Sequence, residues 1–121
     1  YNTDSSPLLV NCIVWSNAAP TSPQIHNEGT SAPSVTYSDV QGGYPGTGNI
    51  DADPLFVNPV SAYQAPTTAG DYRLLPGSPA VDAGNNFYVT VETDLLGNPR
   101  IADGNGDNIA IVDMGAFELV P

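Results

Sequence analysis

Apolar positions come in short runs along this chain. None recurs every 3.6 residues for long enough to make a helix, and Pro or Gly interrupts each window where one would begin. The runs are rich in β-branched residues and bounded by turn formers, which predicts an all-β chain. The long runs are Pro7–Trp15 and Pro33–Gln41, with a shorter one at Gln24–Asn27 between them. Further along, Asp71–Leu74 reads as a short strand and Gly77–Gly84 as a strand bracketed by turns. Phe87–Val91 is the strongest strand signal, and Met114–Val120 closes the chain. Gln41–Asn49 is a loop by composition.

The two long runs echo each other at an offset of 26 residues. Pro7 aligns with Pro33, Leu9 with Val35, Cys12 with Ser38 and Val14 with Val40. One long and one short strand per period fits a coil of a parallel β-helix, with small residues such as Cys12 and Ser38 stacked along its axis.

Composition narrows the function. The chain has 121 residues, enough for one domain that buries roughly two-thirds of its unfolded surface. Apolar residues make up 40% and charged residues 12%, so it should fold rather than stay disordered. Asp and Glu total 13, whereas Arg73 and Arg100 are the only cations, for a net charge of -11. A nucleic-acid binder needs cations to displace condensed counterions, so nucleic acid is excluded as a partner, and an anionic membrane surface with it. Divalent cations or polycations suit such a surface better. There is no lysine, hence no Schiff base or lysine general base. Cys12 is the sole cysteine and cannot form an internal disulfide; a small buried thiol is the expectation. No stretch approaches the roughly 20 apolar residues of a membrane span. No signal peptide is recognisable and the chain begins at Tyr1, which points to processing or to a longer parent. The acidic, Asn/Thr/Ser/Gly/Pro-rich makeup predicts a secreted or cell-surface location.

Segments of the chain, in order, carry a family resemblance. "SVTYSDVQGGYPGTGNIDAD" (residues 34–53), "DPLFV", "DYRLLPGSPAVDAG", "DLLGNPRIADGNGD" and "VDMGAFE" closely resemble the C-terminal region of bacterial choice-of-anchor Q proteins. The resemblance covers roughly Pro7 to Glu118, and the block "DYRLLPGSPAVDAG" is its most specific part. It implies a right-handed parallel β-helix ending in a cap, on large secreted or surface proteins. The expected fold is thus a short right-handed parallel β-helix of about two coils over residues 1–45. A β-rich C-terminal cap follows over residues 46–121, packed with the coils as one domain. The chain departs from the family at both ends. It stops at Leu119-Val120-Pro121 without an anchor and carries fewer coils upstream, as a piece of a longer protein or a short variant would.

Several groups of residues invite chemistry. Asp103-Gly104-Asn105-Gly106-Asp107, with Asp113 beyond, spaces oxygen ligands on a Gly-bearing loop as calcium requires. A full EF-hand is excluded, because Met114 stands where a bidentate Glu is needed and Gly106 comes two positions early. A calcium loop completed by Asp113, with Asp94 as a further ligand, stands beside the alternative of a polar turn between strands. Asp39, Asp51 and Asp53 form a second acidic group in which turn formation before Pro54 is the simpler reading. Arg73 and Arg100 are expected to fork onto carboxylates of the cap, and Asp82 to cap backbone N–H groups. His26 has no catalytic partner at a recognisable spacing. Trp15, Tyr44, Tyr63, Tyr72, Phe87, Tyr88 and Phe117 would suit a sugar platform, but their scatter favours core or rim packing.

The function expected is a non-catalytic extracellular structural module. Too few coils are present to bury both ends, so self-association through the ends of the β-helix, head to tail into a filament, is expected. The alternatives are a carbohydrate-binding adhesin module, with surface polysaccharide as partner, or a fragment of a polysaccharide lyase or hydrolase. Lyases of that architecture want a basic residue near calcium on the coil face, whereas both arginines fall in the cap.

Overall fold

The 26-residue echo is a ladder in space. In a computed structural model describing residues 1–121, β2 (Leu8–Val10) lies parallel to β5 (Ser34–Thr36), pairing Leu8 with Ser34, Leu9 with Val35 and Val10 with Thr36. β3 (Ile13–Val14) lies parallel to β6 (Asp39–Val40) in the same offset. β1 (Asn2–Thr3) pairs in parallel with β4 (Asn27–Glu28), one residue shorter in offset. The chain therefore makes two successive passes, the second laid on the first. The expected strand at Gln24–Asn27 begins only at Asn27.

The turns between strands repeat as well as the strands. Left-handed backbone occurs at Asp4 (φ 47°) and Gly29 (65°), at Asn11 (54°) and Tyr37 (48°), and at Ser16 (55°) and Gly42 (86°). Each pair sits at matching corners of the two passes. Asn and Asp tolerate this region, but Tyr rarely occupies it, so Tyr37 is held there by its surroundings. Gly29 is obligatory for a second reason: a Cβ there would lie 2.2 Å from Asp4 Oδ1. That same oxygen accepts the Thr30 N–H at 2.9 Å and the Thr30 hydroxyl at 3.1 Å, tying the passes together. Asn2 Nδ2 donates to Asn27 Oδ1 at 2.8 Å, and the Cys12 N–H donates to Ser38 Oγ at 3.1 Å.

The two sides of this stack differ. On the far side of the second pass, the Tyr37 N–H donates to the Thr47 carbonyl (2.9 Å) and the Val40 N–H to the Ile50 carbonyl (3.0 Å). Asn49 accepts the Ser38 N–H (3.1 Å) and donates to the Val35 carbonyl (2.9 Å). Residues 44–52 thus run along that side and close much of it. Each strand of the first pass has only one partner. Interior burial follows: Val35, Ser38 and Val40 are 2%, 0% and 1% exposed, whereas their counterparts Leu9, Cys12 and Val14 are all half-buried, so the thiol expected to be buried is only partly so.

The rest of the chain packs beside the stack. β7 (Phe56–Asn58) and β8 (Asp71–Leu74) form an antiparallel pair with an irregular register. Leu74, Ala80 and Met114 make the small core, with Ile13, Ile50 and Phe56 against it. Two hydrogen bonds, Gly84 N–H to Val112 carbonyl and Met114 N–H to Ala80 carbonyl (both 2.9 Å), zip the 80s to the 110s. Asn11 clamps this layer to the first pass. Its side chain accepts the Asn85 N–H at 2.8 Å and donates to the Asn85 carbonyl at 3.1 Å, while its carbonyl accepts the Gly115 N–H at 2.9 Å.

Two strand expectations fail here. Phe87–Val91 holds a 3-10 turn, Asn86–Tyr88, rather than a strand. Asn85 caps that turn by accepting the Phe87 N–H (2.9 Å), and Phe87 is 86% exposed. A β-rich run becomes a strand only with a neighbour to pair with, and the local side-chain bond wins without one. Gly77–Gly84 is a series of turns. Pro79 lacks a donor, and Ser78 Oγ donates to the Pro54 carbonyl (2.7 Å) and accepts the Ala80 N–H (3.2 Å), fixing the bend. Asp71–Leu74 is a strand as expected. The structure is all-β apart from two 3-10 turns, and no helix is long and apolar enough to cross a membrane.

Candidate functional site

Asp103–Asp107 folds around its own amides. Asp103 Oδ1 accepts the Gly106 N–H (2.7 Å) and the Asp107 N–H (3.1 Å), and Oδ2 accepts the Asn108 N–H (2.8 Å). Asn105 Oδ1 accepts the Asp107 N–H (2.9 Å), and Asp107 Oδ1 accepts the Ile109 N–H (2.8 Å). These are successive turns in which each short polar side chain bonds the backbone ahead of it. Asp82 braces the loop from outside, accepting the Gly104 N–H (3.3 Å) and the Asn105 N–H (2.8 Å). That is the capping role its setting predicts.

Asp113 turns away from the loop. It is buried, with Oδ1 accepting the Asp82 N–H (2.8 Å) and Oδ2 the Leu119 N–H (2.7 Å). Glu118 accepts the Asp113 N–H through both oxygens (3.2 Å each) and takes the Arg100 guanidinium on Oε1. Arg100 Nη2 also donates to the Gly115 carbonyl at 2.6 Å. Asp94 Oδ2 accepts the Glu118 N–H (3.0 Å), and its Oδ1 accepts the Leu96 (2.8 Å) and Asn98 (2.9 Å) amides. The expected ligand set therefore divides: Asp103, Asn105 and Asp107 bond amides of their own loop, whereas Asp113 and Asp94 hold backbone of other segments. No three His, Cys, Asp or Glu side chains gather as a metal shell. Any calcium here would rest on the 103–107 loop alone, which Asp113 supports only through Asp82, while Asp94 binds Leu96, Asn98 and Glu118 instead.

The environment splits these acids. Burial pushes Glu118 up, helped by Asp113, and the Asp113 N–H and Arg100 only partly offset this, leaving it at about 7. Burial likewise raises Asp113. At Asp94 burial also raises, but amide bonds from Glu118, Asn98 and Leu96 outweigh it and hold the group at about 2.

The second acidic group has a different character. Asp39 is fully buried; Oδ1 accepts the Ala52 N–H (3.2 Å) and Oδ2 has no partner. Burial, with Asp51 and Asp53 nearby, raises it to about 6, against the opposing Ala52 bond. Asp53 accepts the Leu55 N–H (3.0 Å) two residues ahead, as a turn former does, whereas Asp51 accepts the Gly42 N–H (3.0 Å) nine residues back and links two loops. Arg73 forks onto Asp71 at the surface, Nε to Oδ1 at 2.9 Å and Nη2 to Oδ2 at 2.5 Å. Both arginines thus meet carboxylates, as expected. His26 stacks on Tyr1 with ring centroids 4.8 Å apart. The part played by Glu118 had no signal in the sequence beyond its closeness to Asp113.

No family model, curated protein or solved structure matches the chain.

Proposed function

We propose that this chain is the terminal portion of a right-handed parallel β-helix, serving as a non-catalytic structural module on an extracellular surface. The observation carrying this reading is the polarity of the stack. Two passes pair in parallel at a 25- to 26-residue offset; one side is closed by residues 44–52 and the other offers strands with a single partner. Such an edge asks for another β-coil, either further coils of the same architecture or a second copy of this chain. The likeness to the C-terminal region of choice-of-anchor Q proteins fits the same picture. The carboxylates support it too, because most of them hold backbone instead of facing a common cleft. In this reading calcium, held by Asp103, Asn105 and Asp107, stiffens the cap and performs no chemistry.

Negative-stain electron microscopy of the purified chain, with and without a calcium chelator, tests the proposal. Concentration-dependent assemblies that dissolve on Leu9→Lys are expected, because Leu9 sits at the half-buried open end. Monodisperse monomers at millimolar concentration, with unfolding unaffected by Leu9→Lys, would refute the open-edge argument.

A further inference from the structure

Aromatic residues scattered in sequence meet on one flank. A hollow of about 550 Å³ is lined by Trp15 and Tyr72, with Asp53 and Asn17. It shares Ser16, Asn17 and Ala62 with a second hollow of about 370 Å³, which carries Tyr63. That one shares Asn17, Pro23 and Gln41 with a third, of about 580 Å³, which carries Tyr44. The three hollows adjoin along one flank as a stepped trough, each with an aromatic side chain in its lining.

Tyr63 and Tyr72 are accessible, and Tyr72 and Tyr44 are anchored. Tyr63 is 90% exposed and Tyr72 41%. Phe56 meets Tyr72 edge to face at 5.3 Å, and the Tyr44 hydroxyl accepts a bond from Asn27 Nδ2 at 3.0 Å. The polar groups are ordered too. Asn17 Nδ2 donates to Gln24 Oε1 (2.7 Å), Gln24 Nε2 donates to Gln41 Oε1 (2.9 Å), and Gln41 Oε1 also takes the Ser16 N–H (2.9 Å). This chain of amides fixes each orientation and leaves the Asn17 carbonyl and the Gln41 amino group free to bond a ligand. Asp53 uses Oδ1 on Leu55 and keeps Oδ2.

Charge selects the occupant. The chain carries 13 acids, yet the trough holds one, Asp53, and no cation. A polyanion would be repelled by the surrounding field and find no counter-charge. A polycation would find better company elsewhere on the surface. The ligand that fits offers apolar faces to the rings and hydroxyls to the amides, repeated along an extended chain. We propose that this trough binds a neutral polysaccharide, with pyranose rings against Trp15, Tyr72 and Tyr63 and hydroxyls on Asn17, Gln41 and Asp53. The site goes beyond the structural role above and does not depend on it.

Trp15 is the only tryptophan, so intrinsic fluorescence reports on the trough directly. The intact chain is titrated with neutral hexasaccharides of β-1,4-linked glucose, xylose, mannose and N-acetylglucosamine, and affinities are measured by calorimetry. A saturable Trp15 shift with at least one hexamer is expected. Tyr63→Ala and Asn17→Ala should each weaken that hexamer roughly tenfold. Asp53→Asn, which keeps the acceptor for Leu55, should weaken binding without altering the circular dichroism. Silence with every hexamer at about 10 mM overturns the proposal. So does binding insensitive to Tyr63→Ala and Asn17→Ala, or preference for polygalacturonate or a proline-rich peptide.

Discussion

Replacing Asp39 with an asparagine should change how stability depends on pH. The carboxyl is fully buried, Oδ2 has no partner, and burial raises it from 3.8 to about 6. A raised carboxyl binds its proton more tightly folded than unfolded. Its contribution is therefore fully present below about pH 4 and is lost as pH rises through about 6. The rise from 3.8 to about 6, at about 1.4 kcal/mol per pH unit, amounts to about 3 kcal/mol. The substituted amide keeps an oxygen for the Ala52 N–H but carries no charge, so this loss disappears. At pH 4 the variant should be less stable than the parent by about 1 kcal/mol, the cost of an unsatisfied buried amide. By pH 7.5 the order should reverse, with the variant ahead by about 2 kcal/mol. Urea unfolding followed by circular dichroism at half-unit steps from pH 4 to 8 measures both curves. Glu118 and Asp113 bend them in the same direction, so the difference between variant and parent is the quantity to read. Curves that stay parallel over the whole range would show that Asp39 ionises as an ordinary carboxyl, and the argument from its burial would be wrong.

Other tests follow from the same geometry. Gly29→Ala should destabilise by well over about 1 kcal/mol in thermal unfolding, because the added Cβ combines a left-handed backbone with a clash against Asp4. Val35→Ala should cost about 2 kcal/mol and Leu9→Ala only about 1, although Leu is larger, because the first pass is half-open. Fusing a compatible β-coil ahead of Tyr1 should raise the cost at Leu9, and denaturant midpoints with and without it decide the matter. Asp103→Ala should speed hydrogen exchange at Gly106, Asp107 and Asn108 and cost about 1 kcal/mol. Added calcium should slow exchange at those amides in the parent alone.

What is legible in the sequence is whatever depends on residues a fixed distance apart. The Pro7/Pro33, Leu9/Val35 and Val14/Val40 matches carry the register of two ladders, because stacked interior positions demand similar side chains. The cap is harder. Phe87–Val91 has strand residues but no partner strand, and pairing is a tertiary fact. Proximity in sequence groups Asp113 with the 103–107 loop, whereas folding turns it toward Asp82 and Leu119. The trough stays hidden because Trp15, Tyr44, Tyr63 and Tyr72 share no spacing. Only the lateral packing of the 53–75 region beside the two stacked passes brings them to one flank.

The repeated left-handed corners have a consequence for design. Asn11 and Tyr37 occupy equivalent bends, as do Asp4 with Gly29 and Ser16 with Gly42, although no two in a pair are the same residue. The likeness of the two passes at these corners thus lies in dihedral angles more than in letters. Tyr37 shows that a corner takes a non-glycine residue where neighbours enforce the bend, whereas Gly29, pressed against Asp4, leaves no room for a Cβ. A builder adding a rung to this stack should copy the sequence of φ signs first and choose the side chains second.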